Sequence, residues 1–215
     1  MKIHIPNSVW LGNIDPFLRG FDSSSPEELK ITFHKKWMSI HPVVLSMIAA
    51  LGMKIQPQKI SCETPEAKSK HYLERMGLFN FLRIKSGINI TEHDPSGRFI
   101  PLTQIRNSSE LTDFIKEVTP LLHIDSRQAE PLRYIMSELI RNTLEHAESQ
   151  SGAIVSAQYY KESNIVRIGI ADAGIGIYKS IKRSHSPQND LEAIQLALTP
   201  GITGTTDKEG GTDWN

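Results

Sequence analysis

The stretch NIVRIGIADAGIGI, from Asn164 to Ile177, passes from an alternating apolar segment into a glycine-containing loop without a break. Because side chains alternate across a strand, one face carries Val166, Ile168, Ile170 and then Asp172. If this face is the core, we expect Asp172 to be buried and to need a hydrogen-bonding partner. A ligand amino group would supply that partner, and so would a plain Asp turn at the end of the strand.

Two glycines follow the aspartate at alternate positions, Gly174 and Gly176. Glycine permits positive φ and lets another group approach the backbone closely. The loop is therefore compatible with a tight surface turn or with a nucleotide site. A dinucleotide-binding fingerprint fits less well, because Lys179 stands where its third glycine would be.

A second pattern lies in the helix predicted near residues 127–147. Its apolar stripe, which we expect to face the core, consists of Leu132, Ile135, Met136, Leu139, Ile140, Thr143, Leu144 and Ala147. Glu138 and Asn142 lie one turn apart, and His146 follows after another turn. They are either solvated edge residues or the wall of a metal–nucleotide site, where Asn142 would bind Mg²⁺ and Glu138 would activate a water.

The rest of the chain alternates between strand and helix patterns, which predicts an α/β fold with parallel pairing in the first half. A segment rich in loop-forming residues predicts an approximate domain boundary near residue 95. The strands are predicted at 28–33, 58–63, 100–105, 152–160 and 164–172. The helices are predicted at 42–53, 64–77, 108–122, 127–147 and 190–198.

Composition narrows the classes of function. The 215 residues have a formal net charge of zero, so no overall positive field attracts nucleic acid or an anionic membrane. Cys62 is the only cysteine, which excludes an internal disulfide. The first residues resemble neither a signal peptide nor a membrane anchor, and the eight histidines lack zinc-site spacing. We therefore expect a cytoplasmic protein with no nucleic-acid or membrane partner and no structural metal site.

The region from about residue 105 to 215 resembles the GHKL ATPases, which include gyrase B, chaperone ATPases, histidine kinases and anti-sigma-factor serine kinases. Their Glu-x-x-x-Asn motif is matched by Glu138 and Asn142, and their Asp-x-Gly-x-Gly motif by Asp172, Gly174 and Gly176. The resemblance implies a two-layer sandwich domain over residues 96–215. It also implies that ATP and Mg²⁺ are the ligands.

The resemblance implies roles for single residues. Asn142 would bind Mg²⁺ between the phosphates, Asp172 would accept a hydrogen bond from the adenine amino group, and Glu138 would be the general base. The other implied nucleotide-binding residues are His146, Gly174, Gly176, Ile177, Thr203, Gly204 and Thr205. Residues 178–213 would form a mobile lid, from which Lys179, Lys182 and Arg183 could reach phosphates. The family's fold continues past the lid, so we expect a domain truncated after it.

The first part of the chain, residues 1–95, resembles the STAS-type modules found ahead of such ATPases. The resemblance implies a protein partner, and it makes Ser39 and Ser46 candidate phosphorylation sites beside ordinary helix-start and core-edge roles. Together the two resemblances imply an ATP-binding regulatory protein, which would be an ATPase or a protein serine kinase when complete. They are also compatible with a homodimer. The alternative is a non-catalytic module that responds to a nucleotide or a partner.

Overall fold

The computed structural model describes residues 1–21, 26–36, 38–66, 70–90 and 97–199. Helices and strands occur in both halves of the chain, and the sheets include parallel and antiparallel pairs. The predicted α/β class is therefore confirmed. None of the helices in these ranges combines the length and the apolar character that crossing a bilayer requires.

The first half of the chain forms two small parallel sheets. Its elements are β1 Lys2–Ile5, β2 Ser8–Val9, α1 Asp15–Leu18, β3 Leu29–Phe33, β4 Ser39–Ile40, α2 Pro42–Lys54, β5 Ile60–Cys62, α3 Lys70–Arg75 and α4 Leu78–Phe81. The strand order is β1-β3-β5 in one sheet, and β2 pairs with β4 in the other. The predicted parallel pairing is confirmed, and the strand β1 was not predicted.

The second half forms one antiparallel sheet with helices. Its elements are β6 Phe99–Ile105, α5 Ser108–Leu121, α6 Ser126–His146, β7 Ala153–Tyr160, β8 Ile165–Ala171, α7 Gly176–Ile181 and α8 Asp190–Ala197. The strand order is β6-β7-β8. The helix α7 begins inside the glycine loop, where we had predicted only loop and lid. The remainder of the predicted lid, from residue 200, lies outside the described residues.

This antiparallel sheet is covered by helices on both faces. One face, which includes Ile105 and Val155, packs with α5 and α6 into one apolar core. The other face contributes Leu102 and Ile154 to a second core, which contains α2 and the β1-β3-β5 sheet. The first half of the chain therefore supplies a third layer to the predicted two-layer sandwich.

Small residues let α2 lie directly on the sheet. A Cβ atom on Gly169 of β8 would stand 2.4 Å from the backbone nitrogen of Val43. The hydroxyls of Ser46 and Ser156 are 3.1 Å apart at the same contact, and Ser156 also donates to the Pro42 carbonyl. Ser46 is fully buried, which contradicts its candidacy as an accessible phosphorylation site.

The other candidate serine, Ser39, lies in β4 beside the β7–β8 hairpin. Its hydroxyl accepts a hydrogen bond from the indole nitrogen of Trp10 at 3.0 Å. The guanidinium carbon of Arg167 lies 4.7 Å from the ring centroids of both Trp10 and Tyr160. Cation–π contacts of this kind join the two halves of the chain at this end of the sheet.

Candidate functional site

The helix α6 begins with a well-formed cap and ends beside the glycine loop. The Asp125 carboxylate accepts hydrogen bonds from the backbone amides of Arg127 and Gln128, at 2.9 and 3.0 Å. This satisfies amides that have no partner inside the helix. The helix then runs for 21 residues, and its last two turns carry Asn142 and His146.

The predicted apolar stripe of α6 is only partly buried. Met136, Ile140 and Thr143 are buried, whereas Leu132, Ile135 and Leu139 are 42%, 52% and 51% exposed. The expectation that the whole stripe faces the core is therefore wrong. The sheet lies under only one side of the stripe because β8 is its last strand among the described residues.

Asp172 follows the predicted face of β8 but is not buried. Val166, Ile168 and Ile170 pack against the core of α5 and α6, whereas Asp172 is exposed. The pairing of β8 with β7 ends at Ala171, so no neighbouring strand covers the next residue. The Asp172 carboxylate accepts a hydrogen bond from the Gly174 amide at 2.8 Å. The Asp turn is thus present, and the expectation of burial is wrong.

The two glycines of this loop have different physical roles. A Cβ atom on Gly174 would stand 2.0 Å from the carbonyl oxygen of Ala147, so the loop lies against the end of α6. The Ile175 amide donates to that same carbonyl at 2.8 Å. Gly176 instead has a φ of +79°, and no atom lies within 4 Å of its missing Cβ. One glycine permits a close contact, and the other permits a left-handed turn beside open space.

These contacts bring the two sequence motifs together around one cavity of about 420 Å³, the α6–α7 cavity. Its polar lining residues are Asn142, Thr143, His146, Asp172 and Ser180. Its other lining residues are Leu139, Ala147, Gly176, Ile177, Ile181, Ala197 and Leu198. Of the predicted nucleotide-binding residues, the structure thus brings together Asn142, His146, Asp172, Gly176 and Ile177.

Gly174 and Glu138 do not line this cavity. Gly174 lines an adjacent cavity of about 280 Å³, which shares Asp172 and Gly176 with the first. Glu138 forms an ion pair with Arg141 on the same helix, and its side chain is 25% exposed. The predicted general base is therefore engaged with a neighbouring cation, although the next residue, Leu139, lines the cavity.

The basic residues predicted to reach phosphates have other contacts here. Arg183 forms an ion pair with Glu148, and the Lys182 ammonium lies 5.4 Å from the ring centroid of Tyr178. Lys179 is exposed in α7. The predicted lid residues Thr203, Gly204 and Thr205 lie outside the described residues.

Few side chains in the described part of the chain are placed to bind a metal ion. No cluster of three or more His, Cys, Asp or Glu side chains that could hold a metal ion occurs in the part of the chain that the structure describes. The exposed Asn142 amide offers one oxygen ligand in the α6–α7 cavity. One protein oxygen suits a Mg²⁺ ion that receives its other ligands from phosphates and water.

Several cavity residues were not predicted as site residues. Leu139 belongs to α6, Ile181 belongs to α7 and Leu198 directly follows α8; together they form apolar walls. The apolar period of residues 190–198 predicts the helix α8. The same pattern could have suggested that this helix covers the site with its apolar face. The approach of α7 and α8 to α6 depends on long-range packing, which local sequence patterns do not encode.

Comparisons with models of protein families, with curated proteins and with solved structures found no match to this chain.

Proposed function

We propose that this chain is a nucleotide-binding regulatory protein of the GHKL class, with ATP or ADP bound in the α6–α7 cavity. The observation that supports this best is the meeting of Asn142 and Asp172 across one cavity, although they belong to separate motifs. A volume of about 420 Å³ is within the range of small-molecule sites.

The adenine base would lie at the Asp172 end of the cavity. One carboxylate oxygen of Asp172 is engaged by the Gly174 amide, and the carboxylate keeps acceptor capacity for a ligand amino group. Gly176 leaves open space beside the loop. The exposed side chains of Leu139 and Ile177 would become covered by a planar base, which removes apolar surface from water.

The phosphates would lie toward Asn142. The amide oxygen of Asn142 suits Mg²⁺, which would neutralise phosphate charge when bound. His146, one turn further along α6, lines the same cavity and can donate a hydrogen bond to a phosphate oxygen. These residues hold and orient a nucleotide without a dedicated metal cluster.

Hydrolysis or phosphoryl transfer to a protein is the second candidate activity. It is favoured by the position of Glu138, one helical turn before Asn142. The ion pair between Glu138 and Arg141 opposes it, because a general base must reach the attacking water. The non-catalytic regulator therefore fits the observed geometry more closely.

The regulatory part of the proposal rests on the contact between α2 and β8. The first half of the chain, which we propose to be a STAS-like module that binds a protein partner, packs on the strand that ends next to Asp172. A partner or a second copy of the chain that shifts α2 would move β8. We propose a cytoplasmic location for this regulator.

Calorimetry with ATP, ADP and ITP, whose base lacks the adenine amino group, tests the proposal. We expect ATP and ADP to bind more tightly than ITP, and Asp172→Asn to remove this preference. Asp113→Asn, an exposed carboxylate on α5, is the matched control. If the unchanged chain binds none of these nucleotides, the proposal is wrong.

A further inference from the structure

A second cavity, of about 600 Å³, lies at the junction between the two halves of the chain. We call it the junction cavity. The helix α3 and the residue after it contribute Tyr72, Arg75 and Met76. The antiparallel sheet and its adjoining turns contribute most of the other side, including Arg98, Tyr159 and Lys161.

The junction cavity carries positive charge without a matching negative charge. Arg75, Arg98 and Lys161 line it, and none of them forms an ion pair with any residue that the structure describes. Among the described residues, its lining contains no carboxylate. Three cations around one concave surface attract an anion and focus its binding there.

Tyr72 forms part of the cavity wall on the α3 side. It lines the cavity, and its hydroxyl oxygen is buried beside the side chain of Tyr160. Burial, with Tyr160 nearby and hydrogen-bonded to it, raises the pKa of Tyr72 well above its ordinary value. Tyr160 donates a hydrogen bond to the Gln158 side chain at 3.0 Å and does not line the cavity. The hydroxyl of Tyr72 is therefore engaged by Tyr160, and Tyr72 contributes its ring to the wall.

Part of the remaining wall is aromatic. The ring of His123 lies 4.0 Å from that of Tyr159, centroid to centroid, and its Nε2 is 3.3 Å from the Gly97 carbonyl oxygen. Phe99 also lines the cavity, from the opposite face of the sheet, where it packs against the α2 core. The rings of His123 and Tyr159 offer flat apolar surface beside the three cations, which suits a ligand with a planar body and an anionic group.

We propose that the junction cavity binds a small aromatic phosphate monoester. Its phosphate is held by Arg75, Arg98 and Lys161, and its ring packs on Tyr159. Arginine favours phosphate because its planar fork donates two parallel hydrogen bonds. Because the residues come from both halves of the chain, bound ligand also joins α3 to the sheet.

This cavity is distinct from the proposed nucleotide site. It lies near the turn between β7 and β8, whereas Asp172 follows the opposite end of β8. The seven residues of β8 separate the two ends by roughly 20 Å. The inference therefore does not depend on nucleotide binding in the α6–α7 cavity.

Calorimetry on the full chain with phenyl phosphate tests the proposal. We expect binding that Arg75→Gln and Arg98→Gln each weaken by about tenfold, because each removes a charge-assisted pair with the phosphate. Unchanged unfolding temperatures of both arginine variants would separate a lost contact with the ligand from a folding defect.

Controls locate the binding and define the ligand. Lys116→Gln on α5, and Asn142→Ala in the α6–α7 cavity, should both leave phenyl phosphate affinity unchanged. Inorganic phosphate and benzoate should bind more weakly than phenyl phosphate. Absence of phenyl phosphate binding, equal affinity for the three probes, or insensitivity to the arginine variants would each overturn the proposal.

Discussion

Gly174 lies so close to the end of α6 that a Cβ atom would stand 2.0 Å from the carbonyl oxygen of Ala147. This contact fixes the loop that carries Asp172 against the helix that carries Asn142. The hydrogen bond from the Ile175 amide to the same carbonyl reinforces it at 2.8 Å. The α6–α7 cavity therefore depends on the absence of a single side chain.

We expect Gly174→Ala to lower the free energy of unfolding by about 1–3 kcal/mol, because backbone atoms occupy the space that the methyl group needs. It should also weaken ATP binding, since Asp172 must move with the loop. Urea unfolding and calorimetry measure the two effects. Gly12→Ala, where no atom lies within 4 Å of the missing Cβ, is the control and should change neither. Full stability in Gly174→Ala would show that the contact does not hold the loop.

Gly169→Ala tests the contact between α2 and the sheet. The added methyl group would meet backbone atoms of Pro42 and Val43 at 2.4 to 2.6 Å. We expect a loss of about 1–3 kcal/mol in the free energy of unfolding, together with faster hydrogen exchange in α2. Gly20→Ala is a suitable control, because its nearest atom would be 3.6 Å away. Unchanged exchange in α2 would argue against this packing.

The two α6 residues of the first motif should behave differently. Asn142 lines the cavity, so Asn142→Ala should weaken ATP binding in Mg²⁺ by about tenfold and have less effect without Mg²⁺. Glu138 is paired with Arg141 outside the cavity, so Glu138→Gln should leave the affinity within about twofold. Calorimetry with and without Mg²⁺ checks both, with Glu130→Gln on the same helix as the control.

Phosphate release by the same variants separates the two candidate activities. If the chain hydrolyses ATP, Glu138→Gln should slow turnover by about 10²- to 10⁴-fold, the usual contribution of a general base. Normal turnover in Glu138→Gln would remove Glu138 from the mechanism and leave nucleotide binding in place. No turnover in the unchanged chain would favour the non-catalytic regulator.

His41 makes stability depend on pH. Its Nδ1 accepts a hydrogen bond from the Val43 amide at 3.1 Å and caps α2, which requires the neutral ring. Burial, and then the nearby Arg167, lower the pKa of His41 below its ordinary 6.5. Below about pH 6.5 the unfolded chain takes up a proton that the folded chain resists, so stability falls as pH falls through this range.

We expect His41→Asn to keep the cap and to reduce this loss of stability at low pH. Urea unfolding of both proteins at pH 7.5, 6.5 and 5.5 measures the difference. His71→Asn, at an exposed position in α3, is the control and should retain the normal pH dependence. An identical pH dependence in His41→Asn would assign the effect to another group.

Local patterns in the sequence determined the elements of this protein and the order of its motifs. The helix pattern near 127–147 corresponds to α6 at Ser126–His146, and the alternating segment before Asp172 corresponds to β8. These predictions succeed because hydrophobic periods and cap residues act within a few positions along the chain. The meeting of Asn142 and Asp172 in one cavity was implied by the resemblance of their two motifs to the GHKL pattern, and the structure brings both residues to one cavity.

Only the tertiary structure decided which faces are covered. The β7–β8 pairing ends at Ala171 and leaves Asp172 exposed, and the edge position of β8 leaves Leu139 exposed. Arg141 binds Glu138 outside the cavity. The packing of α2 on the sheet through Gly169 made the first half of the chain a third layer. Such contacts join residues that are far apart in sequence, so their geometry depends on the packing of the whole fold, which no local period encodes.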